Sequence, residues 1–566
     1  MKIDWDVPIR MEDGLVLRAD IFRPDDGGKY PALLSYGPYG KGLAFQEGYK
    51  TAWDIMAREN PDVLAGSSNR YQNWEVVDPE KWVADGYVCI RVDSRGAGRS
   101  PGFLCHNGPR ETKDLYNCVE WAAQQQWCSG KVGMNGISYY ASNQWRAAAA
   151  KPPHLAAICV WEGWNDAYRE SARHGGIICS FRKNWQEMQV KTVQHGFPSG
   201  KNNPNTGVPV CGDEVLSEAQ LVKNRENMWQ AFLSRETWDD YYAERTPDLS
   251  KVTIPLMTAA NWGGQGLHTR GNFEGFMRAG SQQKWLEVHG GSHWAPFYTD
   301  YGIGLQKKFF GHFLKGEKNG WDKQPRVLLN VRHPGEKFVQ RHENEWPLAR
   351  TKWTKLFLHK DLSLSETEEK GEGTVSYDPM GNGLTFSMVA KKPTEITGPS
   401  ALKLWISSAT NDADLFVVLR IFDPAGKEVL FQGALDPKTP VGQGWLRASH
   451  RKLDAKLSLP YRPYHAHDEK QPLKPGEVCE LDVEIWPTCI VVPKGYRIAL
   501  TLRGKDYEHD GAAATLSNMK NPMRGCGPFL HDDESDRPPA VFGGKVTLHL
   551  GPARPAHAVL PVIPAK

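Results

Sequence analysis

The sequence predicts an α/β fold, a parallel sheet covered by helices on both faces, followed by an all-β sandwich. Three observations carry this. Strand and helix patterns alternate through residues 1–165 and again through 248–324. The alternation breaks over 166–247. From 325 to 566 the texture becomes short β-branched runs separated by Gly, Pro and Asp turns.

The elements follow in order. "MKIDWDVPIRMEDGLVLRADIFRP" reads as two alternating strands around an EDG turn. "PALLSYGPYG" (31–40) and "YVCIRVDSRGAG" (87–98) are short apolar strands. "ETKDLYNCVEWAAQQQW" (111–127) is an amphipathic helix, with Leu115, Val119, Trp121 and Ala122 at helical spacing. A strand "KVGMNG", a helix stopped by Pro152 and Pro153, and the strand "HLAAICVW" (154–161) come next. "IPLMTAAN" (254–261) and "QKWLEVHGG" (283–291) are the later strands of this sheet. The segment 166–247 reads as helices joined by a Gly/Asn/Pro loop, an inserted helical cap. Beyond 325, runs such as "ALKLWISS", "ADLFVVLRIF" and "CELDVEIWP" read as strands of a sandwich of jelly-roll type.

Composition narrows the function classes. At 566 residues the chain exceeds one compact core. It is 40% hydrophobic and 24% charged, and 69 − 66 gives a net charge of +3. No basic run points to nucleic acid. No apolar run approaches the ~18 residues of a membrane span. The N-terminus shows no apolar signal core, so a cytoplasmic protein is expected. Ten cysteines without a CxxC pair read as buried free thiols. No Walker loop, zincin helix or EF-hand is present. "RGAGRS" is only half a dinucleotide loop, so no cofactor and no metal are expected. The expected partner is a small-molecule substrate, with a homo-oligomer as a further expectation.

One serine marks the chemistry. In "GMNGISYYAS" (133–142), Ser138 sits between a strand and the helical run "SNQWRAAAAK", with Gly136 two positions before it. A serine on a sharp strand-to-helix turn is a nucleophile elbow. Small neighbours, here Gly136 and Ala141, leave room for the crowded turn. The helix N-terminus aims its N–H groups at an oxyanion formed beside the hydroxyl.

"GISYYASNQW" resembles the GxSYxG elbow of the cocaine-esterase and X-prolyl dipeptidyl-peptidase (CocE/NonD) family of acyl hydrolases. "MEDGLVLRADIFRP", "GPYGKG", "VDSRGAGRSPG", "GGSHW" and "GWLRASHRKLD" extend the resemblance over nearly the whole chain. Ala141 stands where that family usually has Gly. The resemblance implies an α/β-hydrolase core, a helical cap and a C-terminal jelly roll. It also implies a serine esterase working through a Ser-His-acid triad and an acyl-enzyme.

The histidine follows the last long strand, where "LEVHGGSHWAPF" offers His289 and His293. His293 matches the family's histidine, and His268 is its rival. One oxyanion donor is the backbone N–H of Tyr139. The family's second donor is a tyrosine hydroxyl in a "PY" turn, which falls on Tyr39. Trp164, His174 and Trp262 are candidates to touch substrate.

The acid departs from the family pattern. The usual Asp position falls on Gly264 in "ANWGGQG". Glu162, the residue after the strand "HLAAICVW", shares the carboxyl edge of the sheet with Ser138 and is the expected replacement. A salt bridge to Arg95 or Arg169 is its structural alternative. Asp166 and Glu274 are the other acids considered. Two further functions stay open. One is an amidase or dipeptidyl-peptidase, and a peptidase taking free N-termini would need a carboxylate such as Asp213, Glu214 or Glu226 for the substrate ammonium. A catalytically impaired binding protein would follow from the missing Asp.

Overall fold

Ten strands form the first sheet in the computed structural model, which describes residues 1–565. They are β1 (Lys2–Arg10), β2 (Val16–Arg23), β3 (Tyr30–Gly37), β4 (Val88–Asp93) and β5 (Cys128–Ile137). Then come β6 (Leu155–Trp161), β7 (Leu256–Asn261), β8 (Lys284–His289), β9 (Val327–His333) and β10 (Lys337–Glu343). Their order across the sheet is β1-β2-β4-β3-β5-β6-β7-β8-β9-β10. The strands from β4 to β9 in that order run parallel. β1, β2 and β10 pair antiparallel.

Alternate residues of each central strand enter different cores, as a sheet covered on both faces requires. Ala32, Leu34, Val88, Ile90, Ile158 and Val160 share one layer with Leu115 and Val119 of α1 (Pro109–Ala123) and Trp145 of α2 (Tyr139–Ala149). Leu33, Cys89, Ala157 and Cys159 join the opposite layer. There they share a core with Phe309, Phe310 and Leu314 of α4 (Asp300–Lys315), which follows α3 (Thr269–Arg278).

The sheet runs further than the sequence suggests. The sandwich is expected from 325, yet β9 pairs with β8 (Leu286↔Val327) and β10 folds back on β9. "VLLNVR" is an apolar, β-branched run that suits either sheet, and only its return beside β8 after α4 decides where it pairs. The second sheet begins with Lys352–Leu358 and contains eleven strands, paired antiparallel. Its longest pair is Thr394–Ser408 with Cys479–Val492, over a core that includes Leu404, Ile406, Leu415, Val483 and Leu500.

The cap is more broken than its sequence suggests. Its pieces are short, among them Ala167–Ala172, Phe181–Trp185, Glu218–Lys223 and Met228–Leu233. A two-stranded hairpin, Arg173–His174 with Ile177–Ile178, interrupts the expected helix. Its turn uses Gly175 and Gly176, at φ 55° and 94°. A Cβ on Gly175 would lie 2.1 Å from the carbonyl oxygen of Trp445, so the hairpin docks directly on the sandwich. Beside it a buried ionic cluster joins the same two parts. Asp536 accepts from Arg173 at 2.6 Å and from Arg447 at 2.8 Å, and Arg447 also pairs with Asp414.

All ten cysteines are free. Among the described residues, no helix is long and apolar enough to cross a membrane.

Candidate active site

Ser138 occupies the turn between β5 and α2 with φ 59° and ψ −111°, a conformation costly for a residue with a Cβ. Hydrogen bonds hold it there. Its N–H donates to the carbonyls of Trp161 and Glu162, and its carbonyl accepts from the N–H groups of Ala141 and Ser142. The flanking positions have no spare room. A Cβ on Gly136 would lie 2.5 Å from Cβ of Tyr140, and one on Gly163 would lie 2.8 Å from Cβ of Ala141. The carboxyl ends of β3 and β5 are neighbours at the point where the chain reverses its direction of growth across the sheet, the place where such sheets bind ligands.

Two histidines and two carboxylates surround the hydroxyl. His268 Nε2 lies 3.1 Å from Ser138 Oγ. The Trp164 N–H donates to Nδ1 of the same ring at 3.3 Å. The neutral ring therefore carries its proton on Nε2 and donates it to Oγ, so His268 cannot accept the serine proton in this arrangement. His293 stacks on His268 with ring centroids 5.3 Å apart and planes 1° from parallel. Its Nδ1 lies 2.7 Å from Glu162 Oε2, and its Nε2 lies 3.0 Å from Glu75 Oε1. The serine hydroxyl lies beside Glu75 and favours that carboxylate's charged form. The other oxygen, Oε2, has no hydrogen-bond partner among the described residues. Thus both ring nitrogens of His293 meet carboxylates, and one of these, Glu75, also neighbours Ser138.

Burial and neighbours set the charges. Burial alone would push His293 down, but the Glu162 and Glu75 carboxylates carry it up to about 10. His289 is likewise raised to about 9, against burial, by Glu287 and Glu162. Glu162 is fully buried, yet His293 and His289 hold its pKa below the ordinary value, and Asn261 Nδ2 adds a hydrogen bond at 3.2 Å. Glu75 is pushed up by burial against the opposing pull of His293 and Ser138. His268 stays far below its ordinary pKa through burial and the charges of His293 and Arg182. Glu75, Ser138 and Glu162 all have positive φ, at 63°, 59° and 50°.

The expected oxyanion donors face the same cavity. Tyr39 Oη accepts a hydrogen bond from Trp185 Nε1 at 3.0 Å, which leaves its own proton free to donate. Tyr139 opens α2, and its backbone N–H has no hydrogen-bond acceptor among the described residues. The Tyr139 side chain turns away to Glu111.

The cavity is tight, with about 30 Å³ of free volume. Trp164 lines it together with Arg182, Trp185 and Gly264. The sandwich supplies Ala434, Leu435, Asn518, Met519 and Phe529 to the same wall. A larger pocket of about 630 Å³ adjoins it and shares Leu435.

His174 and Trp262 lie elsewhere. His174 is taken into the interface with the sandwich, where its Nδ1 lies 2.8 Å from His531 Nε2 and its ring packs on Trp445. Trp262 is buried against Phe273 and Trp346 and donates to the Asn330 carbonyl. Asp166 and Glu274 are bound by Arg169 and Arg462. Asp213, Glu214 and Glu226 pair with Arg99, His195 and Arg245 and do not line the cavity. Sequence reasoning missed Glu75 and Arg182. Glu75 comes from a segment without a periodic or motif signal and Arg182 from the cap, where the helical pattern does not single it out, and only the fold brings them to the serine.

Comparison with known proteins gives one consistent picture. Residues 13–295 match the X-Pro dipeptidyl-peptidase (S15 family), and residues 319–521 match the X-Pro dipeptidyl-peptidase C-terminal non-catalytic domain. Cocaine esterase from Rhodococcus sp. (strain MB1 Bresler) is 24% identical, with 98% of each chain covered. A putative Xaa-Pro dipeptidyl-peptidase of Bacillus anthracis is 20% identical over 86% of this chain and 80% of that one. The crystal structure of a CocE/NonD family hydrolase from Staphylococcus aureus superposes with a TM-score of 0.85 and 31% identity, covering 99% of this chain and 94% of that one.

Proposed function

This chain belongs to the X-Pro dipeptidyl-peptidase (S15) family of hydrolases, and we propose that it cleaves carboxylic esters through an acyl-enzyme on Ser138. The observation that carries this reading is the strained, hydrogen-bonded turn at Ser138. Its hydroxyl faces the Glu75–His293–Glu162 array and two free oxyanion donors.

The steps follow from these groups. Ser138 Oγ attacks the ester carbonyl carbon, and its proton passes to the Glu75 carboxylate. The His293 imidazolium, anchored by Glu162, fixes that carboxylate through Nε2–H. The Tyr139 N–H and the Tyr39 hydroxyl donate to the oxyanion. As the intermediate collapses, protonated Glu75 returns its proton to the leaving oxygen and the C–O bond breaks. Water then repeats the sequence on the acyl-enzyme. His268 donates to Oγ and orients it.

A dipeptidyl-peptidase that takes free N-termini would need a carboxylate free to hold the substrate ammonium. Glu75 is the one carboxylate lining the cavity among the described residues, and it is engaged with His293. That favours the ester reading over a peptidase that takes free N-termini. The test is covalent: a fluorophosphonate should label Ser138, and Ser138→Ala should remove both labelling and p-nitrophenyl ester turnover, by ~10³-fold or more. Labelling at a different serine would overturn the assignment.

A further inference from the structure

We propose that the cavity selects esters carrying a carboxylate, and that Arg182 receives it; this rests on the hydrolase reading above. Arg182 lies on the short helix Phe181–Trp185, is 3% exposed, and lines the same cavity as Ser138 and Tyr39. Its one hydrogen bond runs from Nε to Ser171 Oγ at 2.8 Å. Nη2 is buried without a partner, and no carboxylate among the described residues lies within ion-pair distance of the guanidinium.

Arg91 and Arg503 are also buried without a carboxylate, but neither lines this cavity, and several other buried arginines are paired. Arg173 has Asp536, Arg270 has Glu170 and Glu484, and Arg146 has Glu111. Arg332, without a carboxylate, donates to the carbonyls of Cys489 and Val441 and to Thr488. A buried charge is normally paired or fully hydrogen-bonded. Arg182 has instead three aromatic rings, Trp185 at 4.8 Å, Trp164 at 5.4 Å and Phe181 at 5.7 Å from ring centroid to guanidinium carbon. These offset part of the burial cost and leave the planar N–H fork unused. A guanidinium fork matches a carboxylate in two parallel hydrogen bonds. The same positive field reaches the serine's neighbour, since Arg182 helps to hold His268 neutral.

The cavity therefore has two charged ends. At one, Glu75 is engaged with His293; at the other, Arg182 awaits an anion. An apolar chain between tryptophan walls would join a substrate carboxylate at Arg182 to an ester carbonyl at Ser138.

The carboxylate could sit on the acyl part or on the alcohol part, and two ester pairs separate these cases. Mono-p-nitrophenyl glutarate is compared with its methyl ester, and 4-acetoxybenzoate with its methyl ester. In the wild-type protein, kcat/KM for the charged member of one pair should exceed that of the neutral member by about tenfold or more, as a charge-assisted contact supports. Arg182→Met should bring that ratio to one or below, and Arg182→Lys should keep part of it. A wild-type ratio of one or less in both pairs, with Ser138 labelled by fluorophosphonate, overturns the anion proposal and leaves the hydrolase reading standing. An equal loss on charged and neutral esters in Arg182→Met overturns it as well. Absence of both labelling and turnover in the wild-type protein overturns the hydrolase reading and this proposal with it.

Discussion

Glu75 Oε1 lies 3.0 Å from His293 Nε2, opposite the nitrogen that Glu162 holds at 2.7 Å. The imidazole is thus clamped between two buried carboxylates, with both N–H groups engaged. A doubly engaged imidazolium has no free lone pair, which is why the proposed mechanism passes the serine proton to a carboxylate.

Glu75→Gln should lower kcat by about 10²–10⁴-fold, the usual worth of a general acid–base group. The sign of its pH dependence follows from its environment. Burial raises the Glu75 pKa above 4.5, and the active form is the carboxylate. Activity is therefore lost as pH falls through that raised value, and the acidic limb of kcat/KM should lie above 4.5 and vanish in the variant. Wild-type kcat in Glu75→Gln would remove Glu75 from the mechanism.

Tyr39→Phe should reduce kcat by about 10²-fold with little change in KM, because the donor acts on charge that develops during reaction. It also deprives buried Trp185 Nε1 of its acceptor, a cost of about 1–3 kcal/mol. Steady-state kinetics and a urea melt check the two effects separately. A loss of stability with kcat intact would make Tyr39 a structural partner alone.

The clamp should show in stability at alkaline pH. His289 and His293 have folded pKa values of about 9 and about 10, above their unfolded value. Such groups contribute stability that is fully present below the unfolded pKa and is lost as pH rises through the folded one. The urea midpoint of the wild-type protein should fall between pH 7 and 10, and the fall should be shallower in Glu162→Gln. Identical slopes in the two proteins would argue against the clamp.

Asp536→Ala should destabilise the fold without entering the chemistry. It strips the carboxylate from buried Arg173 and leaves Arg447 only Asp414, a cost of about 3–5 kcal/mol. Burial opposes the Asp536 charge, but Arg447 and Arg173 hold its pKa down to about 2. The stability it contributes is present above the unfolded carboxylate value and lost as pH falls toward 2. Calorimetry at pH 7 measures the first effect. A melting temperature equal to that of the wild-type protein would show that the cluster carries no net stability.

The sequence makes Ser138 legible because everything that defines it is local: a strand, a Gly two residues before, and a helix behind. Glu162 is legible because adjacent parallel strands end at one edge, so the residue closing β6 must stand beside the one closing β5. Glu75 is not. It sits in an irregular segment whose carbonyl accepts the Ile137 N–H, a contact between distant parts of the chain that no periodicity announces. His174 fails for the opposite reason. Its sequence reads as part of a cap helix, but the glycine pair after it folds a hairpin and turns the ring into the sandwich. The strands β9 and β10 read like sandwich strands because a β-branched alternation states only that a strand forms, and the neighbour is chosen by where α4 returns the chain.

Leu435, Asn518, Met519 and Phe529 belong to the part of the chain that contributes no proton donor or acceptor to Ser138, yet they close the cavity around it. Leu435 also borders the outer pocket, so the same side chain is both wall and threshold. Chemistry and admission are thereby written in separate stretches of the polypeptide. A lineage could retune which molecules enter by altering a few apolar positions in the sandwich, while the buried array of charges stays as it is. The two stretches meet at a backbone hydrogen bond, from the His293 N–H to the Ala434 carbonyl at 2.8 Å, so the wall that admits a substrate also steadies the loop that carries the histidine.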